Sequence, residues 1–278
     1  MERQIGVISD SGLDYGGELY ASDVEPIPFR LTVDEVEILD LRENIGGLLQ
    51  MMKSSTQRMI TACPSPSDFL AAFDQFKETF VVTISSRLSG SYNSAMVAKQ
   101  ILEETEPDKK VHIIDSRAAC AGQDLIFYRV KQLVEQNISS PVIVDKVTEY
   151  VKRVRTFGVL QSLDNLVKNG RISNLTARVG NLLQMTPIIG DDHDGHIVMK
   201  DKVFGKKKVL TRVLEIIGEN AADFKDKMMI INHVNAQEKA EELKQAVIDQ
   251  FGFHEVHVLE SGGISTVYAD DGGIMFAF

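Results

Sequence analysis

The sequence contains no tryptophan and only two cysteines, Cys63 and Cys120. Two thiols cannot build a disulfide framework, so both read as small buried residues kept reduced. No apolar run approaches the ~18 residues that a membrane-spanning helix needs. The opening MERQIGVISDSG begins charged, and its apolar part is too short for the core of a signal peptide. A cytoplasmic protein is expected. Basic residues are also scarce, with 30 Lys and Arg against 40 Asp and Glu and a net charge of −10. Nucleic-acid backbones demand a basic surface, which argues against nucleic acid as a partner. Neither a GxxxxGK[ST] phosphate loop nor a GxGxxG dinucleotide fingerprint occurs, and no cofactor is expected. Arg87 stands two residues before Ser89, so Ser89 is not in a GxSxG elbow.

What is present is a chain of 278 residues, 44% hydrophobic, long enough for two domains. Short apolar runs at 5–11, 58–65, 80–86 and 111–117 read as strands buried on both faces of a parallel sheet. Helical patterns lie between them. The second of these helices starts at Ser65, a capping residue followed by Pro66 at the first helical position. After about residue 155 the pattern turns to hairpins and helices. The expectation is an α/β protein: a Rossmann-like parallel-sheet domain over 1–155, then a smaller mixed or antiparallel α/β domain over 156–278, with a ligand between them.

Each of the four early strands ends in small polar residues, at Ser9-Asp10-Ser11, Thr61 to Ser65, Ser85-Ser86 and Asp115-Ser116. Ligands of open parallel sheets bind beyond the carboxyl ends of the strands, so Ser11, Thr61, Ser85 and Ser116 become candidate ligand contacts. Turns favour the same residue types, which is the plainer reading of any one strand end. The stretch Leu88-Ser89-Gly90-Ser91 adds a helix start, where free amides and a partial positive charge favour an anion and Gly90 permits close approach. A nucleophilic Ser89 or Ser91, in acyl or phosphoryl hydrolysis or transfer, is the enzymatic alternative. The six histidines lie outside these motifs, which leaves such a serine without an evident base. GDDHDGH at 190–196 reads as a polar hairpin turn rather than a metal cluster. KDKVFGKKK at 200–208 is either a solvated basic face or a partner-docking site, with Lys202 and Lys206 as its candidates.

VISDSG, ITACPSPSDF, ISSRLSGSYNSA, IIDS and NGRISNL, in this order, resemble the motifs of the DegV family of bacterial fatty-acid-binding proteins across nearly the whole chain. The resemblance implies a bound long-chain fatty acid in an apolar tunnel. Its carboxylate would lie at Thr61 and Ser89, with the Gly90 amide nearby. Some members are the lipid-binding subunit of fatty acid kinase and present the acyl carboxylate to a separate ATP-binding subunit. For that role the family's arginine corresponds to Arg171. Where the family carries His-Thr-Gly-Pro-Gly, this chain reads Tyr268-Ala269-Asp270-Asp271-Gly272. Tyr268 can donate a hydrogen bond to a carboxylate but offers no imidazole, which leaves open a diverged member that holds a different ligand.

Overall fold

The computed structural model describes residues 3–14, 25–172, 185–221 and 223–278. The last part of the NGRISNL motif, residues 173–175, lies outside them.

Strand β5 (Phe76–Thr83) is the centre of a three-stranded parallel sheet, between β1 (Arg3–Ser9) and β6 (Lys110–Asp115). Phe80, Val81 and Val82 are all fully buried because helices cover both faces of this strand. On one face lie α2 (Pro66–Phe73) and α3 (Ser91–Thr105), whose Phe69, Phe73, Ala98 and Leu102 pack on Ile8 and Val81. Helix α2 starts where expected. The Ser65 hydroxyl accepts from the Asp68 amide, the Asp68 carboxylate accepts from the Ser65 amide, and Pro66 follows the cap.

The other face is covered by α4 (Ala121–Glu135), with α5 (Ser140–Val151) beside it. Residues 121–127 of α4 are buried without interruption, which an amphipathic surface helix would not allow. The cause is a second sheet behind it, since Phe80, Val82 and Ile114 of the first sheet and Ile230, Leu259 and Ala277 of the second share one cluster with α4. The second sheet runs β11 (Glu255–Glu260), β10 (Met228–His233), β12 (Ile274–Ala277), β7 (Thr156–Val159), β8 (Met185–Asp191), β9 (Ile197–Phe204). Only β10 and β11 pair in parallel; the rest is antiparallel. Helices α7 (Val209–Asn220) and α8 (Gln237–Phe251) cover its outer face. The layers therefore alternate helix, sheet, helix, sheet, helix.

One expectation needs correction. The stretch 58–65 does not join the parallel sheet. Its strand β4 (Ile60–Ala62) pairs antiparallel with β2 (Arg30–Val33), which also pairs with β3 (Val36–Leu39), in a small third sheet. Asp34, in the left-handed region at φ 53°, makes the tight turn between β2 and β3. The alternation of Leu31 and Val33, both buried, was the available signal for this hairpin. The small sheet packs with α1 (Leu48–Ser54) and α9 (Gly263–Ala269) through Leu31, Leu48, Ile264 and Val267. The later, mixed sheet has six strands against three in the parallel sheet.

The β8–β9 hairpin folds its tip against the first sheet. The Ser85 hydroxyl donates to the Gly195 carbonyl at 2.8 Å. Gly195 sits at φ 96°, and a Cβ there would lie 2.3 Å from the Ser85 oxygen and 3.1 Å from Arg117 Cα. Gly195→Ala should therefore lower stability by about 1–3 kcal/mol, through strain and overpacking together. Urea unfolding of the variant checks this, and an unchanged midpoint would count against the docked hairpin.

Candidate functional site

A cavity of about 310 Å³ opens where the three sheets meet. Its walls are built from the ends of several elements. Thr61 comes from β4, Ser89 and Gly90 from the turn into α3, Cys120 from the start of α4, and Tyr268 from α9. Leu160, Ile189, Ile197 and Met275 of the second sheet and its loops form an apolar wall. A smaller extension of about 60 Å³ shares Leu88, Cys120, Ile189, Ile197 and Met275 with it and leads toward Gly158 and His196. Together they form a largely apolar sleeve, with a polar place in the larger cavity where Thr61 and Tyr268 meet.

That place is small and well defined. The Thr61 hydroxyl and the Tyr268 phenol lie 2.8 Å apart. Ser89 lines the same cavity from the N-terminus of the 15-residue α3, with Gly90 as the capping residue of that helix. A Cβ on Gly90 would come 3.2 Å from the Cys63 sulfur, so glycine keeps this wall open. Arg171 is the only charged residue lining the cavity among the described residues, and its guanidinium donates to the Asn169 carbonyl at 3.0 Å. Hydroxyls, an amide-rich turn and one arginine suit a single anionic group, and the rest of the lining suits an aliphatic chain.

The structure therefore brings Thr61, Ser89, Gly90, Tyr268 and Arg171 to one cavity, and leaves Ser11, Ser85 and Ser116 out of it. The hydroxyls of those three are engaged elsewhere. Ser11 donates to Asp40 at 2.8 Å and accepts from the Phe29 amide, Ser85 is bound to Gly195, and Ser116 donates to the Ala118 carbonyl at 3.0 Å. All three are buried. Their strand ends are ordinary turns that hold the loops in place. Arg171 lies at the cavity instead of on the basic face with Lys202 and Lys206, both of which are exposed on or just after β9.

The nucleophile reading loses its geometry as well. Ser91 is fully buried and donates to Asp10, away from the cavity. Asp10 also accepts from the Ile84 and Gly12 amides and from Gln123, so it clamps the loop that precedes α3. Burial raises the Asp10 pKa despite these donors. Ser89 lines the cavity, but no histidine or carboxylate does so among the described residues. The 190–196 segment is the expected hairpin turn: Asp192 accepts from the His196 amide and ring, and no metal-binding group of three side chains occurs among the described residues.

The aspartates that follow Tyr268 do not face the cavity. Asp271 is held by Lys53 at 2.7 Å and by Asn235 at 2.9 Å, and the lysine keeps its pKa below the usual carboxylate value. Behind the cavity wall lies a set of groups that sequence patterns did not single out. Asn232 on β10 donates to Asp14 and to Asp124, at 2.6 Å each. The Asp14 carboxylate also accepts from the Gly262 amide, and Asp124 accepts from the Asp14 amide. Asp40 accepts from Ser11 and from the Gly263 and Ile264 amides at the start of α9. Burial raises the pKa of Asp14 and of Asp124, the latter also through the charge of Asp14, and it pushes Asp40 up to about 6. Cys120, whose thiol donates to Ser265, is raised well above the ordinary value by the same burial. These groups position the cavity walls and do not themselves meet a ligand, Cys120 and Ser265 excepted.

Comparison with known proteins gives a consistent result. The profile of the DegV family, a family of uncharacterised proteins, matches residues 4–278. A DegV domain-containing protein of Streptococcus pneumoniae is 31% identical over 277 residues, covering 98% of both chains. A DegV family protein of Ruminococcus gnavus, solved with vaccenic acid, superposes with a TM-score of 0.93 at 32% identity over 100% of both chains. The fatty acid kinase B3 protein of Streptococcus pneumoniae, loaded with linoleic acid, superposes with a TM-score of 0.91 at 29% identity over 99% of both chains.

Proposed function

We propose that this chain, which belongs to the DegV family, holds one long-chain fatty acid in the cavity between its sheets as a non-catalytic carrier. The observation that carries the reading is the largely apolar cavity with hydrogen-bond donors at Thr61, Ser89, Gly90 and Tyr268 in its lining. Two hydroxyls, a phenol and an amide can satisfy a carboxylate withdrawn from water. Arg171 adds a cation to the lining of the same cavity. Each methylene buried along the sleeve contributes about 0.8 kcal/mol, so a long chain supplies most of the affinity after the cost of association. Similar chains solved with vaccenic and linoleic acids support the ligand class.

In the finer reading, the chain presents the acyl carboxylate to the ATP-binding subunit of a fatty acid kinase in the cytoplasm. Support comes from the likeness to the fatty acid kinase B3 protein and from the exposed lysines of 200–208, which offer a docking face for an acidic partner. The first test is to denature the purified protein in organic solvent and identify the released lipids by mass spectrometry. One fatty acid per chain is expected. A lipid-free protein that also takes up none when fatty acid is added would sink the proposal. A second check uses the thiols. Both thiols are partly exposed in the cavity wall, but burial raises the Cys120 pKa well above the ordinary value and holds it against ionisation. Iodoacetamide should modify Cys63 well before Cys120, and added oleate should slow the Cys63 reaction at least fivefold. Equal rates with and without oleate would place the ligand elsewhere.

A further inference from the structure

A second cavity, of about 250 Å³, lies on the far side of the six-stranded sheet, in the gap between the first turns of α7 and α8. Its floor is aliphatic, made of Val159, Leu210, Val213, Leu243 and Ile274. Lys206 and Lys239 stand at its mouth, both exposed and neither in an ion pair within 4.0 Å among the described residues. The Lys239 ammonium lies at the rim beside Gly272, 3.7 Å from where a Cβ would project. The nearby carboxylate of Asp271 is already taken by Lys53 and Asn235. Glu242 is the one acid in the lining, exposed on the solvent side of α8.

We propose that this gap is a second binding site, for a single-chain anionic amphiphile. Apolar side chains around an unfilled gap forfeit contacts that an aliphatic chain would restore. Two unpaired lysines at the mouth of such a gap in a chain of net charge −10 attract a carboxylate or phosphate head. The first turn of α7, which holds no acidic residue, adds the positive end of a helix dipole. The gap is concave and of single-chain size, so it fits a free amphiphile better than a flat lipid surface. The site is separated from the first cavity by the sheet itself, and its occupancy does not depend on the carrier reading.

The test is a titration of carboxyl-13C-labelled decanoate into lipid-stripped protein, read by NMR as bound carboxyl signals. Two bound signals are expected. One should weaken at least tenfold in Lys206→Glu/Lys239→Glu and disappear in Leu210→Trp, which fills the gap, yet persist in Thr61→Val/Ser89→Ala. A single bound signal that responds only to Thr61→Val/Ser89→Ala would overturn the second site and leave the carrier reading standing. A signal that responds only to the lysine and Leu210 variants would support the second site and count against the head-group assignment in the first. Binding that none of these variants alters would overturn the proposal.

Discussion

Asn232→Leu should destabilise the protein by about 3–5 kcal/mol, and by more at pH 8 than at pH 5. The asparagine donates to two buried carboxylates at 2.6 Å each, and a hydrogen bond to a charged group contributes roughly 1.5–3 kcal/mol. Leucine has similar volume, so the cost is electrostatic and not steric. At pH 5 burial keeps the Asp14 carboxyl, pushed up to about 7, and the still more strongly raised Asp124 carboxyl protonated. At pH 8 Asp14 is ionised, and its buried charge would have lost the Asn232 donor. The same logic fixes the direction for the unmutated protein. Asp40, with a folded-state pKa of about 6 against an ordinary 3.8, contributes stability that is fully present below about pH 3.8 and lost as pH rises to about 6, roughly 3 kcal/mol. Asp201 and Asp271, lowered by Arg212 and Lys53, act oppositely and lose their smaller contributions as pH falls. Urea denaturation at pH 5 and pH 8 measures both effects. An Asn232→Leu variant equally stable at the two pH values would mean that these carboxylates are not held as described.

Thr61→Val combined with Ser89→Ala should weaken fatty acid binding by tenfold or more while leaving the unfolding midpoint within the range of a surface substitution. The two hydroxyls line the cavity together with the Tyr268 phenol, and their loss removes roughly 1–3 kcal/mol from a charged head group. Tyr268→Phe is the informative companion. The phenol now sits 2.8 Å from the Thr61 hydroxyl, and with a ligand present both can point at one carboxylate. A further several-fold loss in the triple variant would assign the phenol to the head group. Affinity for oleate, measured by fluorescence displacement, that is unchanged in the double variant would remove the assignment of the carboxylate to this end.

The parts of the fold that sequence patterns reveal are those whose signals are local. The cap at Ser65 and Pro66, the apolar core of β5 and the period of α8 are all set by neighbours within a turn or a strand. Helix α9 carried no such signal. It opens on Gly262-Gly263, which reads as loop, and its first amides are capped by Asp40, 223 residues away from Gly263. The site divides the same way. Small polar residues at four strand ends looked equivalent, and only tertiary contacts decide which face the cavity. Ser85 turns to Gly195 and Ser11 to Asp40, while Thr61 reaches the cavity from a sheet that was expected to be part of another. Asn232 was illegible because a buried asparagine in a strand is informative only beside the two acids it bridges.

Helix α4 has a consequence for how the molecule comes apart. It belongs to neither sheet alone, since its flanks bury Phe80 and Val82 on one side and Ile230 and Leu259 on the other. A fragment ending near residue 155 would expose an entire aliphatic flank of α4 to water, and a fragment beginning there would lack the helix that covers the inner face of its sheet. Each half has a cluster of its own, but both share the large one around α4, so melting is expected to be one cooperative event seen alike by far-ultraviolet dichroism and by tyrosine fluorescence. A ligand lodged at this seam touches residues from both sides and would raise that single transition as a whole.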